Sequence, residues 1–228
     1  MPARYLPFGD ASLVVELGDT INLEINRRVV AFNDAILKAE IHGVEELVPT
    51  YRSLLVRYDP LETSYEQLVF RVKDLEATLE VSDVKVVGRK VTVPVVYGGE
   101  YGPDLGHVAK CHGLTEEQVV RLHSEREYRV YMLGFVAGFP YLGEVADQIA
   151  TPRLETPRLK VPAGSVGIAE KQTGIYPCEA PGGWQIIGRT AIKLFDPLQQ
   201  PPTPLSSGDT VKFKPILEAE YKTLLGKQ

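Results

Sequence analysis

Residues 134–190 read GFVAGFPYLGEVADQIATPRLETPRLKVPAGSVGIAEKQTGIYPCEAPGGWQIIGRT. From Gly134 to Pro204 there are nine glycines and ten prolines. No long helix survives such a stretch, because proline removes backbone donors and glycine marks turns. Between the breaks lie runs of strand length: Ser165–Ala169, Gly174–Pro177 and Gln185–Thr190. Tyr128–Leu133 precedes them and Thr210–Phe213 follows. Many short strands separated by Gly- and Pro-rich loops predict a barrel or a sandwich.

Upstream the texture changes. From Asp19 to Lys90 there are two glycines and two prolines, so long helices fit. Ile21, Ile25, Val29, Phe32 and Ile36 recur at spacings of three and four and predict a helix ending before Gly43. Ser12–Leu17, Val44–Pro49 and Ser53–Tyr58 read as strands. Ser64-x-x-Gln67 is a capping-box pattern that opens a helix with Tyr65, Leu68, Val72, Leu75 and Leu79 on one face. Val91–Val96 is expected to be the last strand of this half. Short helices follow over Asp104–His112 and from Thr115-x-x-Gln118 to about residue 126. The expectation is an α+β chain: an α+β domain over 1–97, a helical connector over 98–127, and an all-β domain over 128–228.

The 228 residues carry a net charge of -5 with 44% hydrophobic residues, which predicts a packed core and argues against a nucleic-acid or anionic-membrane binder. Cys111 and Cys178 lie far apart, and two cysteines in so long a chain suggest a reducing compartment. MPARYLPFGD shows no apolar core of a signal peptide, and no apolar run reaches the roughly 18 residues of a membrane span. A cytoplasmic protein is expected. The sequence has no Walker phosphate loop, dinucleotide fingerprint, zinc helix or C-x-x-C pair. Ala163-Gly-Ser165-Val-Gly167 lacks the first glycine of a nucleophile elbow and runs on into a strand, so Ser165 reads as a turn residue. His107 and Cys111 would share a helix face near His123. A metal site is conceivable there, but no fourth ligand is evident, and a helical pair with a free thiol is the plainer reading.

The ligand-binding vocabulary lies in the Gly/Pro-rich stretch. Phe135, Phe139 and Tyr141 stand among glycines, as pocket walls or as packing over a barrel end. Arg153 and Arg158 each follow a proline; stiffened guanidinium forks suit an anion, and pairing with Glu155 or another acidic residue is the alternative. Trp184 offers a stacking face beside Gly182-Gly183, or plugs the barrel. Gln172, Thr173 and Gln185 are neutral partners suited to an amide or lactam.

These same runs, GFVAGFPYLG, TPRLETPRLKVPAGSVGIAEKQTGIYP, APGGWQIIGRT and LFDP, resemble the family of 5-oxoprolinase B subunits. That family is also known as KipI-like kinase inhibitors and as allophanate hydrolase subunit 1. FGDASLVVEL, VEELVPTYRSLLVRYDP and VPVVYGGEYGPDL extend the resemblance over nearly the whole chain. It implies a small α+β N-terminal domain and a cyclophilin-like β-barrel over 128–228. It further implies partnership with a homologous C subunit and an A subunit in the ATP-dependent opening of 5-oxo-L-proline to L-glutamate, with ATP bound in the assembled complex. The alternatives the resemblance implies for this chain are inhibition of a sensor histidine kinase, or a subunit role in allophanate or urea amide hydrolysis. Phe139, Tyr141, Arg153, Arg158, Gln172, Thr173, Trp184 and Gln185 are the expected substrate contacts; no catalytic residue and no metal are assigned. The chain departs from the family pattern at Ala137, where proline is usual, and at Glu170-Lys171.

Overall fold

The computed structural model describes residues 2–79 and 88–226. The chain divides into two compact units, Met1–Val87 and Gly88–Gln228.

The first unit begins with β1 (Arg4–Pro7) and β2 (Ser12–Glu16), then α1 (Leu23–Ala39), β3 (Val44–Pro49), β4 (Ser53–Tyr58) and α2 (Tyr65–Thr78). The strands form one antiparallel sheet in the order β1-β2-β4-β3. Alternation along β2 and β4 turns Leu13, Val15, Leu54, Val56 and Tyr58 into the core, where they meet Val29, Phe32 and Ile36 of α1 and Leu68 and Val72 of α2. Each fully buried aliphatic side chain contributes about 1.5–3 kcal/mol there. α1 opens at Asn22, whose side chain accepts the Glu24 N–H at 2.7 Å; Ile21, placed on the stripe by its spacing, lies before the helix and is exposed. The capping box at Ser64 is present, with reciprocal bonds between Ser64 and Gln67.

The second unit contains β5 (Lys90–Tyr97), α3 (Leu105–Cys111), α4 (Glu116–Ser124), β6 (Glu127–Leu133), β7 (Pro140–Gly143), a 3-10 turn at Asp147–Ile149 and β8 (Arg158–Val161). It continues through β9 (Ser165–Ala169), β10 (Gln172–Ile175), β11 (Ala180–Gly182), β12 (Gln185–Arg189), β13 (Thr210–Pro215) and α5 (Glu218–Leu225). Seven strands close into a barrel in the order β10-β7-β6-β13-β5-β12-β9, and β8 and β11 form a separate two-stranded ladder.

One expectation is corrected. The strand at 90–97 does not end the first half. β5 lies between β13, parallel, with Thr210 opposite Lys90, and β12, antiparallel, with Gly188 opposite Tyr97. Without it the barrel would have two open edges. The helices of the connector also belong here: Leu105, Val108 and Val119 pack into the same core as Val93, Val130, Ile168 and Phe213. The barrel interior is filled by side chains, so it is a core and not a lumen.

Candidate functional site

The barrel's packed interior leaves its outer face and loops to carry function. On that face the short β10 is decisive. Along it and the residue that follows, side chains alternate: Ile175 and Thr173 point into the barrel, and Gly174 and Tyr176 point out. A Cβ on Gly174 would stand 3.0 Å from Phe139 Cζ and 3.0 Å from Trp184 Cζ3. Glycine at this point admits the aromatic cluster. Phe139 is its hub. Its ring meets those of Tyr141 at 4.9 Å, Tyr176 at 5.2 Å and Trp184 at 5.4 Å, the last two edge-on. Edge-to-face contacts of this kind are the favoured aromatic geometry.

Phe139 and Trp184 are buried, and Tyr141 is half-buried. Phe135 extends the cluster outward. Its ring lies edge-on to Phe139 at 5.7 Å and it is exposed. Its backbone sits at φ 66, a left-handed conformation that costs a bulky residue free energy. Gly138 at φ 81 completes the turn; a Cβ there would lie 2.7 Å from Leu194 O. Burial raises the Tyr176 hydroxyl pKa to about 12, with the nearby Arg153 charge opposing. Burial likewise raises Tyr141. Both phenols are therefore neutral hydrogen-bonding groups at physiological pH.

Arg153 stands over this cluster, its guanidinium carbon 5.9 Å from the Trp184 ring centroid, and it is exposed. The loop carrying it is tied on both sides. Leu154 N–H donates to Gly183 O at 2.7 Å, Gln185 Nε2 donates to Pro152 O at 2.9 Å, and Glu170 N–H donates to Thr151 O at 2.8 Å. A stiffened loop holds a cation beside a flat apolar wall, a combination that suits a small planar ligand with an anionic group.

The other expected contacts are placed differently. Arg158 Nη2 donates to Asp104 Oδ1 at 2.7 Å, and Asp104 Oδ2 accepts the Ile186 N–H at 2.6 Å. One arm of its fork is engaged by a mostly buried carboxylate, that of Asp104 and not of Glu155, while Nη1 is buried without a partner. Gln185 is buried, spending its amide nitrogen on the Arg153 loop; its Oε1 has no partner. Gln172 is half-buried at the start of β10. Thr173 faces the barrel interior, where it accepts from His123 Nε2 at 2.9 Å and donates to Gly167 O at 2.9 Å. Thr173 is thus separated from the aromatic face by its own strand.

His123, projecting from α4, is wholly buried. Its Nδ1 accepts from Tyr97 Oη at 2.8 Å, and its ring stacks on Phe213 at 4.5 Å. Burial pushes its pKa down to about 3, so the ring is neutral. With both nitrogens engaged, it does not join His107 and Cys111, which pair at 3.4 Å on the exposed face of α3. Among the described residues no group of three or more His, Cys, Asp or Glu could hold a metal ion. Ser165 is fully buried and its Oγ has no partner, so no elbow presents it to a substrate. Sequence reading missed Tyr176 and Asp104. Tyr176 shares the face of Gly174 by strand alternation, a signal present in QTGIYP; nothing local marks Asp104 as the partner of an arginine 54 residues away.

Comparison with known proteins places these features in a class. The family model "Carboxyltransferase domain, subdomain C and D" matches residues 3–205. The 5-oxoprolinase B subunit of Bacillus subtilis is 44% identical over 97% of this chain and 97% of its own length. The Haemophilus influenzae protein of the same name is 45% identical over 91% of this chain and 95% of its own. Among solved structures, TTHA0988 superposes with a TM-score of 0.80 at 38% identity; it covers 90% of this chain, which spans 40% of that longer one. PH0987 of Pyrococcus horikoshii gives a TM-score of 0.58 at 50% identity, over 96% of this chain and 100% of that one. The chain belongs to the family of 5-oxoprolinase B subunits.

Proposed function

We propose that this chain is the B subunit of an ATP-dependent 5-oxoprolinase, working with an A subunit and a homologous C subunit to open 5-oxo-L-proline to L-glutamate. The observation that carries this reading is identity of 44% and 45%, over nearly the full length, to proteins bearing that name. The barrel is of the cyclophilin-like kind. In this reading the substrate's flat five-membered ring lies against Tyr141 and the edge of the Phe139–Trp184 cluster, and its carboxylate meets Arg153. Gln172 is the amide partner on the rim. Arg158, Gln185 and Thr173 act indirectly, by holding the loop and strand that present these groups.

A lactam is a resonance-stabilised amide, and its opening needs activation of the carbonyl. ATP supplies the driving force in the complex. This chain has no phosphate loop, so the nucleotide is assigned to another polypeptide of the complex and the role here is positioning. Among the described residues no helix is long and apolar enough to cross a membrane, and a cytoplasmic complex fits the scarcity of cysteine.

The test is reconstitution with the A and C subunits, following glutamate release with ATP. Arg153→Ala is expected to lower kcat/KM at least tenfold with its unfolding midpoint unchanged, since the side chain is exposed. Arg153→Lys recovers part of the loss. Full activity of Arg153→Ala removes the site. Turnover of urea or allophanate but not 5-oxoproline would transfer the site to the substrates of urea amidolyase, an enzyme that shares the fold at 20% identity in its Kluyveromyces lactis form.

A further inference from the structure

Helix α2 of the first unit has a face that its own core does not use. Glu66, Phe70 and Asp74 recur every four residues of the helix and form one ridge, and Glu62 lies in the turn before its Ser64 cap. Phe70 is 69% exposed. The ridge borders a groove of about 730 Å³, lined also by Glu40 and Ile41 after α1 and by Leu75, which is half-buried against the first unit's core. Glu62 is held by His42 at 2.8 Å. Among the described residues Glu40, Glu66 and Asp74 have no ion-pair partner; Arg71 and His42 are the groove's basic residues. An uncovered aromatic ring therefore lies amid three unneutralised carboxylates.

We propose that this groove docks a lysine- or arginine-rich amphipathic helix of a partner protein. Phe70 and Leu75 take up the apolar stripe of that helix, and Glu40, Glu66 and Asp74 take up its flanking cations. Charge complementarity selects the occupant: an acidic rim favours a cationic partner and disfavours an anionic one. Spacing selects its form. Glu66 to Asp74 spans about 12 Å along α2, a little over two turns. The acidic and apolar groups repeat at one helical turn, the repeat of an amphipathic helix laid in a groove. The proposal is independent of lactam opening, because every residue it names lies in the first unit.

Two synthetic 18-residue peptides of identical leucine and lysine content test it. One is patterned as an amphipathic helix, and the other has the same residues in scrambled order. Binding to the full chain is followed by fluorescence anisotropy. The patterned peptide is expected to bind at least tenfold more tightly than the scrambled one. Phe70→Ala and the pair Glu66→Lys with Asp74→Lys are each expected to weaken it at least tenfold. Phe70→Gln serves as a second variant should Phe70→Ala unfold, and circular dichroism checks each fold. Absence of binding, equal binding of the two peptides, or binding indifferent to all the variants overturns the proposal. Arg153→Ala, which tests the barrel site, should leave peptide binding unchanged; parallel loss there would also overturn it.

Discussion

His123 shows how one residue sets a pH dependence for the whole barrel. Thr173 Oγ1 gives its proton to Gly167 O, so it accepts from His123, and the histidine proton must sit on Nε2. Nδ1 is then the acceptor for Tyr97. Both nitrogens are satisfied only in the neutral ring, and burial holds the pKa near 3 against an ordinary 6.5. In the unfolded chain the ring binds a proton below about pH 6.5, whereas in the folded chain it does so only near pH 3. Stability from this group is thus complete above pH 6.5 and is lost as pH falls towards 3. The loss between pH 7 and pH 5 is roughly 2 kcal/mol. Urea unfolding at the two pH values should show it, and His123→Gln should abolish most of the difference while His42, His107 and His112 remain as internal controls. An equal pH slope in both proteins would refute the assignment.

Among the elements, the loop from Thr151 to Arg158 depends on its anchor. Asp104 precedes α3 yet does not cap it with its side chain; its carboxylate turns to Ile186 N–H on β12 and to Arg158 at the start of β8. Removing it leaves a buried amide and a partly buried guanidinium without a partner. Asp104→Ala should cost about 2–3 kcal/mol in urea unfolding. Asp104→Asn, which keeps one acceptor, should cost less. A loss below about 0.5 kcal/mol in Asp104→Ala would show that the contact does not bear on stability. The same element explains what could be read from sequence. The caps at Ser64 and Thr115 are legible because a capping box is complete within four residues. β4 and β9 are legible as largely apolar runs bounded by breakers, and β3 as a short segment closed off by Gly43 and Pro49. β8 and β11 were not, being short and set among prolines and glycines, with a ladder that joins Arg158 to Gly182 across distant sequence. The aromatic residues of the site were visible as a composition. Which arginine stays open was not, because that depends on Asp104.

At the scale of the molecule, the placement of β5 governs where the chain can be divided. Its text, KVTVPVVY, reads as a strand in any context. Its neighbours are β13, whose pairing residues lie 120 positions away, and β12, with Gly188 opposite Tyr97. Local pattern carries no information about such pairings. A parallel strand needs a long connection, so proximity in sequence to β4 and α2 is a poor guide to partnership. Closure makes the consequence sharp. A barrel has no edge strands, but removing β5 exposes the ladders of β13 and β12 together and takes Val93 and Val95, which are almost fully buried, out of the core. A fragment of residues 88–228 should therefore fold cooperatively and remain monomeric. One of residues 98–228, cut where the sequence alone would place the boundary, should aggregate or unfold without a thermal transition. Circular dichroism melts and size-exclusion chromatography of the two fragments decide it. A folded, soluble 98–228 fragment would mean that β5 is an accessory to the barrel and that the division at residue 97 is the physical one.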